Sequence, residues 1–222
     1  MPATVLDLSS MDFQFEQLRK PFLNVQRPLK KGTMVVSACL LLGLSSCDRF
    51  GERTKDVINA ISIQNLSTGE KLLKNEVSNV QLTLPQGWTD VRDNLRPDAD
   101  LYAAREDRTM YVLVLADQKQ TDANGTISGF DLADNASQYL SYLDWGLAQE
   151  QPEVATSLTS LNGLNAKQYE VKGQIDSLPV VYLHTTIEGA EHYYQVVAWA
   201  SAEDYANAKT ELQNVIGSFR GT

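Results

Sequence analysis

Two stretches leave this chain few architectures. Met110-Tyr111-Val112-Leu113-Val114-Leu115-Ala116 and, further on, Tyr193-Tyr194-Gln195-Val196-Val197-Ala198-Trp199-Ala200 read as strands whose successive side chains are apolar on both faces. In water, only a central strand covered above and below tolerates that pattern. The sheet that holds them must therefore have packing layers on both sides, and helices are the elements available to supply them.

Val80, Leu82 and Leu84 alternate with Gln81 and Thr83, the period of a strand with one buried face, so the folded domain is expected to begin at Asn79. Pro85-Gln86-Gly87 is turn chemistry ahead of Trp88. Strands are expected over 101–105 and 109–116. A helix follows over 131–148, with Leu132, Ala136, Tyr139, Leu140, Leu143 and Leu147 as its apolar stripe and Ser128 or Asp131 as its cap. Past Pro152 the pattern predicts strands at 155–161, 166–175, 178–187 and 192–200, with turns at Asn162-Gly163 and Gly189-Ala190. Ser201 is expected to cap a last helix over 202–219, with Glu203 and Asp204 in its first turn and a stripe of Tyr205, Ala208, Leu212, Val215, Ile216 and Phe219. Short links between late strands force antiparallel neighbours. The fold class is α/β (α+β), a mainly antiparallel sheet of about six to seven strands sandwiched between helices.

The segment before this domain carries an address. Arg27, Lys30 and Lys31 precede an apolar run from Met34 to Leu44, broken only by Ser37 and Gly43, and then come small residues and Cys47. That order is charge, apolar run, small residues, as in a secretory signal, and the run is about half the ~20 residues a spanning helix needs. Leu44-Ser45-Ser46-Cys47 resembles the bacterial lipobox. The resemblance implies cleavage between Ser46 and Cys47, a diacylglycerol on the Cys47 thiol and acylation of the new amino terminus, which together anchor stably where a single chain would not. Asp48, next after it, implies retention at the periplasmic face of the inner membrane. Residues 1–46 are thus a signal peptide. Residues 1–33 make a long and mixed n-region, better explained by a translation start between Met1 and the basic residues. Residues 47–78 are expected to be the lipidated amino terminus and a tether, with a short helix where Val57, Ile58 and Ile61 share a face.

Removal of residues 1–47 takes away five of 19 Lys+Arg and three of 28 Asp+Glu, leaving a net charge of −11. Such a surface repels nucleic acid and anionic lipid heads. Cys39 leaves with the signal and Cys47 is consumed by lipid, so the mature chain has no disulfide and relies on its core.

An opening strand running into Leu84-Pro85-Gln86-Gly87-Trp88, a mid-chain helix, a run of antiparallel strands with His192-Tyr193-Tyr194 near the end, and a final helix closing on Ile216-Gly217-Ser218-Phe219 resemble the PsbP superfamily. That superfamily includes the extrinsic photosystem II subunit, DcrB-like envelope lipoproteins and the Ran-binding Mog relatives. The resemblance implies a non-enzymatic accessory or assembly protein that works through protein contacts, and a photosystem II accessory role if the host is photosynthetic. No functional site transfers residue by residue. Leu84, Trp88 and Phe219 read as packing positions.

Chemistry is sparse in what remains. The two histidines, His184 and His192, flank Glu188 and Glu191, a His/carboxylate set of the kind zinc takes. A two-residue Gly189-Ala190 loop puts His184 opposite Gln195 and on the other face from His192, so no shared metal is expected. Residues 120–131 resemble an EF-hand loop through Asp122, Asn124, Gly125, Thr126 and Ile127, but the first place is Gln120 and the twelfth is Asp131, which removes the strongest ligands. Phosphate-binding loops, His-Glu-x-x-His and Cys-x-x-Cys are absent from the sequence. No catalytic residue, metal ligand or cofactor is assigned. The expected partners are the membrane, through the lipid on Cys47, and a protein. A small-ligand module is the alternative, and it requires a sizeable pocket between sheet and helices.

Overall fold

The computed structural model describes residues 61–92, 99–107, 109–119, 131–145, 153–175 and 178–221, with side chains of the first helix described as far as Ser141. Two sheets and two helices make up these residues. A small sheet has the order β1-β2-β3, from β1 (Ile61–Asn65), β2 (Lys71–Asn75) and β3 (Val80–Leu84). The large sheet is built from β4 (Trp88–Asp90), β5 (Leu101–Arg105), β6 (Met110–Gln118), β7 (Val154–Ala155), β8 (Ser160–Leu161), β9 (Leu164–Ile175), β10 (Leu178–Glu188) and β11 (His192–Ser201). Its order is β4-β5-β6-β11-β10-β9-β7, with β8 also on β9, and every pairing is antiparallel.

The two-faced strands β6, β10 and β11 lie in the middle, as their sequences require. One face packs Val112, Val114, Leu183, Val196 and Ala198 against the inner side of the small sheet (Leu73, Leu82, Leu84) and against helix α2 (Tyr205–Gly217). The other face packs Tyr111, Leu113, Tyr182, Val197 and Trp199 with Tyr139 and Leu140 of helix α1 (Leu132–Trp145). Trp199 is the centre of this second core. Its ring stacks on Tyr111 at 5.2 Å and meets Tyr182 and Tyr102 at tilted angles, a geometry that adds to plain area burial. Burial drives the Tyr182 phenol well above its ordinary pKa.

The three positions read as packing positions in the sequence do pack. Leu84, Trp88 and Phe219 are all buried in the α2-side core. Beyond α2 the chain returns along β3: Gln81 and Arg220 exchange backbone hydrogen bonds, and the Ser218 hydroxyl accepts from Thr83 N and donates to Thr83 O. The Asn162-Gly163 turn forms as expected, with both residues at positive φ, 53° and 87°.

Four expectations need correction. Residues 61–75 are not tether: β1 and β2 pair with each other and β2 pairs with β3, so the folded unit already includes Ile61. The expected strand at 155–161 is split into β7 and β8 by a one-residue bulge, since Ala155 to Ser160 takes five steps opposite only four from Tyr169 to Asn165. Helix α2 starts at Tyr205, three residues late, because Ser201 Oγ accepts from Asp204 N and donates to Asp204 Oδ2, which holds 202–204 as a turn. The β10–β11 turn is centred on Ala190-Glu191, closed by Gly189 N donating to His192 O at 2.9 Å. Among the described residues, no helix is long and apolar enough to cross a membrane.

Candidate functional site

Register places the polar groups of the α1 face in rows across the sheet. Val171, Tyr182, Trp199 and Tyr111 form an apolar row. Two steps along the strands come Tyr169, His184, Val197 and Leu113, then Lys167, Thr186, Gln195 and Leu115, and at the hairpin end Asn165, Glu188, Tyr193 and Asp117. Polarity therefore rises along this face toward the first turn of α1.

The middle rows hold a closed hydrogen-bond string. Gln195 Nε2 donates to Asn135 Oδ1 of α1 at 2.7 Å, and Gln195 Oε1 accepts from Thr186 Oγ1 at 2.8 Å. With that oxygen an acceptor, the His184 Nε2 at 2.8 Å from it must carry the proton. His184 Nδ1 is then a bare lone pair, buried without a hydrogen-bond partner among the described residues, and the ring is stacked on Tyr139 at 6.0 Å. Complete burial pushes the imidazole pKa down to about 4, against the hydrogen bond to Gln195, which works the other way. His184 is a neutral core residue that ties strand to strand and strand to helix.

The hairpin end is charged. Lys119 Nζ sits 3.1 Å from Glu188 Oε1 and 4.6 Å from the centre of the Tyr193 ring, and Asn165 Nδ2 donates to Glu188 Oε2. The hydrogen bond from Lys119 holds the Glu188 carboxyl below its usual range. Burial, then the carboxylates of Glu188, Asp131 and Asp134, raise the Tyr193 phenol. The Tyr139 hydroxyl donates to Asp117 Oδ2.

The residues singled out from sequence are dispersed. His184 and His192 lie on opposite faces, His192 stacking on Tyr194, and no group of three or more metal-ligating side chains occurs among the described residues. His184 pairs in register with Val197 rather than Gln195, because the turn is centred one residue later than expected, but its side chain still reaches Gln195 on the diagonal. Asp131, the last place of the EF-hand-like loop, caps α1 by accepting from Asp134 N at 2.8 Å; residues 120–130 of that loop, Ser46 and Cys47 lie outside the described residues. Glu191 sits in the hairpin turn, where its carbonyl accepts from Lys119 N. Sequence reading missed Asn135 and Thr186 as partners of Gln195. The available signal was Gln195 itself, a lone amide inside an otherwise apolar two-faced strand.

In the small sheet, β1 is an edge strand among the described residues. Ile63 pairs with Leu73, which pairs with Leu82, so all three share the core-facing side; Leu73 and Leu82 are fully buried, whereas Ile63 is 54% exposed. The small sheet overhangs its core at this strand.

No protein-family model matches the sequence, and no curated protein does. Solved structures with a similar chain path include cyanobacterial PsbP (CyanoP) from Synechocystis sp. PCC 6803, at 11% identity and TM-score 0.48 over 70% of this chain and 94% of that one. The Ran-binding protein Mog1p of Saccharomyces cerevisiae matches at 13% identity and TM-score 0.48, over 70% and 96%. LpqN of Mycobacterium tuberculosis, involved in cell envelope biogenesis, matches at 13% and 0.44, over 78% and 96%.

Proposed function

We propose that this chain is a cell-envelope lipoprotein, acylated at Cys47, whose domain serves as a non-catalytic accessory factor by docking an extended segment of a membrane-associated protein onto β1. The observation that carries the reading is the β1 edge. Ile61-Ser62-Ile63-Gln64-Asn65 is exposed from Ser62 onward and has neither a charge nor a proline, the devices that usually keep a sheet edge from pairing with other chains. An added strand would gain main-chain hydrogen bonds from the edge and side-chain specificity from the overhanging Ile63. The position fits the anchor. From Cys47 to Ile61 the chain spans at most about 50 Å fully extended, so β1 is the described strand nearest in sequence to the lipid and stays within reach of membrane proteins.

The experiment is crosslinking in native membranes with the lipidated protein, with Cys47→Ala and with Ile63→Lys. Capture of one membrane complex by the parent chain, lost in both variants, supports the reading. Capture that survives Ile63→Lys removes β1 as the docking edge, and capture that survives Cys47→Ala removes the anchor from the function.

A further inference from the structure

A cleft of about 590 Å³ runs along the outer edge of β9, between the first turn of α1 and the bulged segment that joins β7 to β8. The bulge shapes it. Thr156 N donates to Gln168 O and Ala166 N to Thr159 O, so the backbone is tied to β9 at both ends of the bulge while the residues between arch away. The volume falls in the range of small-molecule sites, roughly 300–1,000 Å³.

The chemistry of the wall selects a ligand. Of the two carboxylates in it, Glu188 is paired, with one oxygen on Lys119 and the other on Asn165, while Asp131 Oδ1 accepts from the helix amide of Asp134 and keeps its charge. Lys167 differs. It is half-buried in the cleft and enters no ion pair or hydrogen bond among the described residues, an ammonium without its acceptor in a partly desolvated place. On the same face of β9 lies Ala155, opposite Tyr169 in register, and across the cleft Leu132 and Ala133 of α1 complete an apolar wall, whereas Ala166 and Leu158 belong to the α2-side core. We infer that the cleft binds a small amphiphilic carboxylate, with Lys167 holding the carboxylate and the alanine–leucine wall taking the aliphatic body. Asp131 at the helix end of the cleft opposes an anion directly and the rest of the acidic surface only at long range, because salt screens exposed charges beyond about 8 Å; the ion pair with Lys167 must outweigh Asp131 from closer in. This inference does not depend on the docking role of β1, which lies in the other sheet.

The test is a titration of sodium octanoate into the full chain carrying Cys47→Ala, followed by amide shifts of Leu132, Ala133, Ala155 and Lys167, with octanol and inorganic phosphate as paired probes. Saturable shifts confined to these residues, weakened about tenfold in Lys167→Gln, retained in Lys167→Arg and weaker for octanol, are the expected result. Absence of saturable octanoate shifts overturns the proposal, as does equal affinity in Lys167→Gln. A response to phosphate without one to octanoate overturns the assignment of an aliphatic ligand. Lys167 lies on the surface of the cleft, so Lys167→Gln is expected to keep the remaining amide spectrum of the parent, which verifies its fold in the same experiment.

Discussion

The indole Nε1–H of Trp88 donates to Glu211 Oε1 at 2.7 Å, which fastens the strand that opens the large sheet to the helix that closes the chain. The two residues are 123 positions apart. Arg105, paired with Trp88 across β4 and β5, reaches the other oxygen of Glu211 at 3.6 Å. The Trp88 ring is fully buried, so its N–H relies on Glu211 for its acceptor. Glu211→Gln keeps an acceptor and loses only the half-exposed ion pair, worth under about 1 kcal/mol. Glu211→Leu orphans the indole and is expected to cost about 1–3 kcal/mol. Urea unfolding of both variants measures the difference; equal losses would show that the hydrogen bond contributes nothing beyond packing.

Asn162 ties the β8–β9 turn to the end of α2. Its Nδ2 donates to Gly217 O at 3.0 Å and Phe219 O at 2.7 Å, while its backbone sits at φ 53°. Asn162→Gly keeps the turn and removes the donors, for a loss of about 1 kcal/mol. Asn162→Asp directs a carboxylate at two carbonyl oxygens and is expected to lose more, about 2 kcal/mol. Hydrogen exchange at Gln81 and Arg220, whose mutual bonds depend on the path after α2, should speed up in the same order. A reversed order would mean that the turn conformation, and not the donor, is what Asn162 supplies.

What the sequence made legible follows from which interactions are local. The two apolar faces of β6 and β11, the alternation of β3 and the stripe of α2 are written in periodicity, and the layers above and below the sheet follow from them. β1 and β2 carry no such signature. Lys71-Leu72-Leu73-Lys74-Asn75 buries only Leu73 and Asn75 fully, and Ile61–Asn65 is mostly exposed, so only pairing with β3 reveals them. The bulge between β7 and β8 depends on one extra residue, which no period records. The hairpin turn was misplaced by one residue, from Gly189-Ala190 to Ala190-Glu191, yet each histidine keeps its expected face. Moving a turn centre by one residue shifts strand register by two, and side chains alternate with period two. For the candidate cleft, Lys167 gave no signal in the sequence, because its significance lies in having no acceptor among the described residues around it, a property of the fold and not of spacing.

Gly221 sits where a side chain would strike the core. A Cβ there would lie 2.9 Å from Tyr194 Cε2 and Cζ and 3.0 Å from Phe219 Cζ, and those two rings are buried against each other with centroids 5.2 Å apart. Neither ring has room to yield, so the end of the chain must lift off instead. Gly221→Ala is expected to lower stability by about 1 kcal/mol and to weaken amide protection at Arg220. Unchanged protection at Arg220 would show that the terminal segment relaxes without cost.

The pH dependence of stability should carry the signature of His184. In the folded chain its pKa is pushed down to about 4 from 6.5 by burial, so between those values the unfolded chain binds a proton that the folded chain refuses. Stability is therefore full above pH 6.5 and falls as pH drops toward 4, by about 1.4 kcal/mol per unit within the window and about 3 kcal/mol in total. Carboxylates act lower. Burial works against ionised Glu170, but hydrogen bonds from Lys209 and Tyr205 outweigh it and hold the pKa below 4.5, as the Lys119 bond does for Glu188, so their stabilisation is lost only below that value. Of these three groups, only the histidine acts between pH 5 and 6.5. His184→Gln retains a donor for Gln195 Oε1 and has no titrating ring, so its unfolding free energy should be nearly flat over that range while the parent's falls. If the parent is flat, or if the variant falls in parallel, the neutral buried imidazole is not what the fold protects.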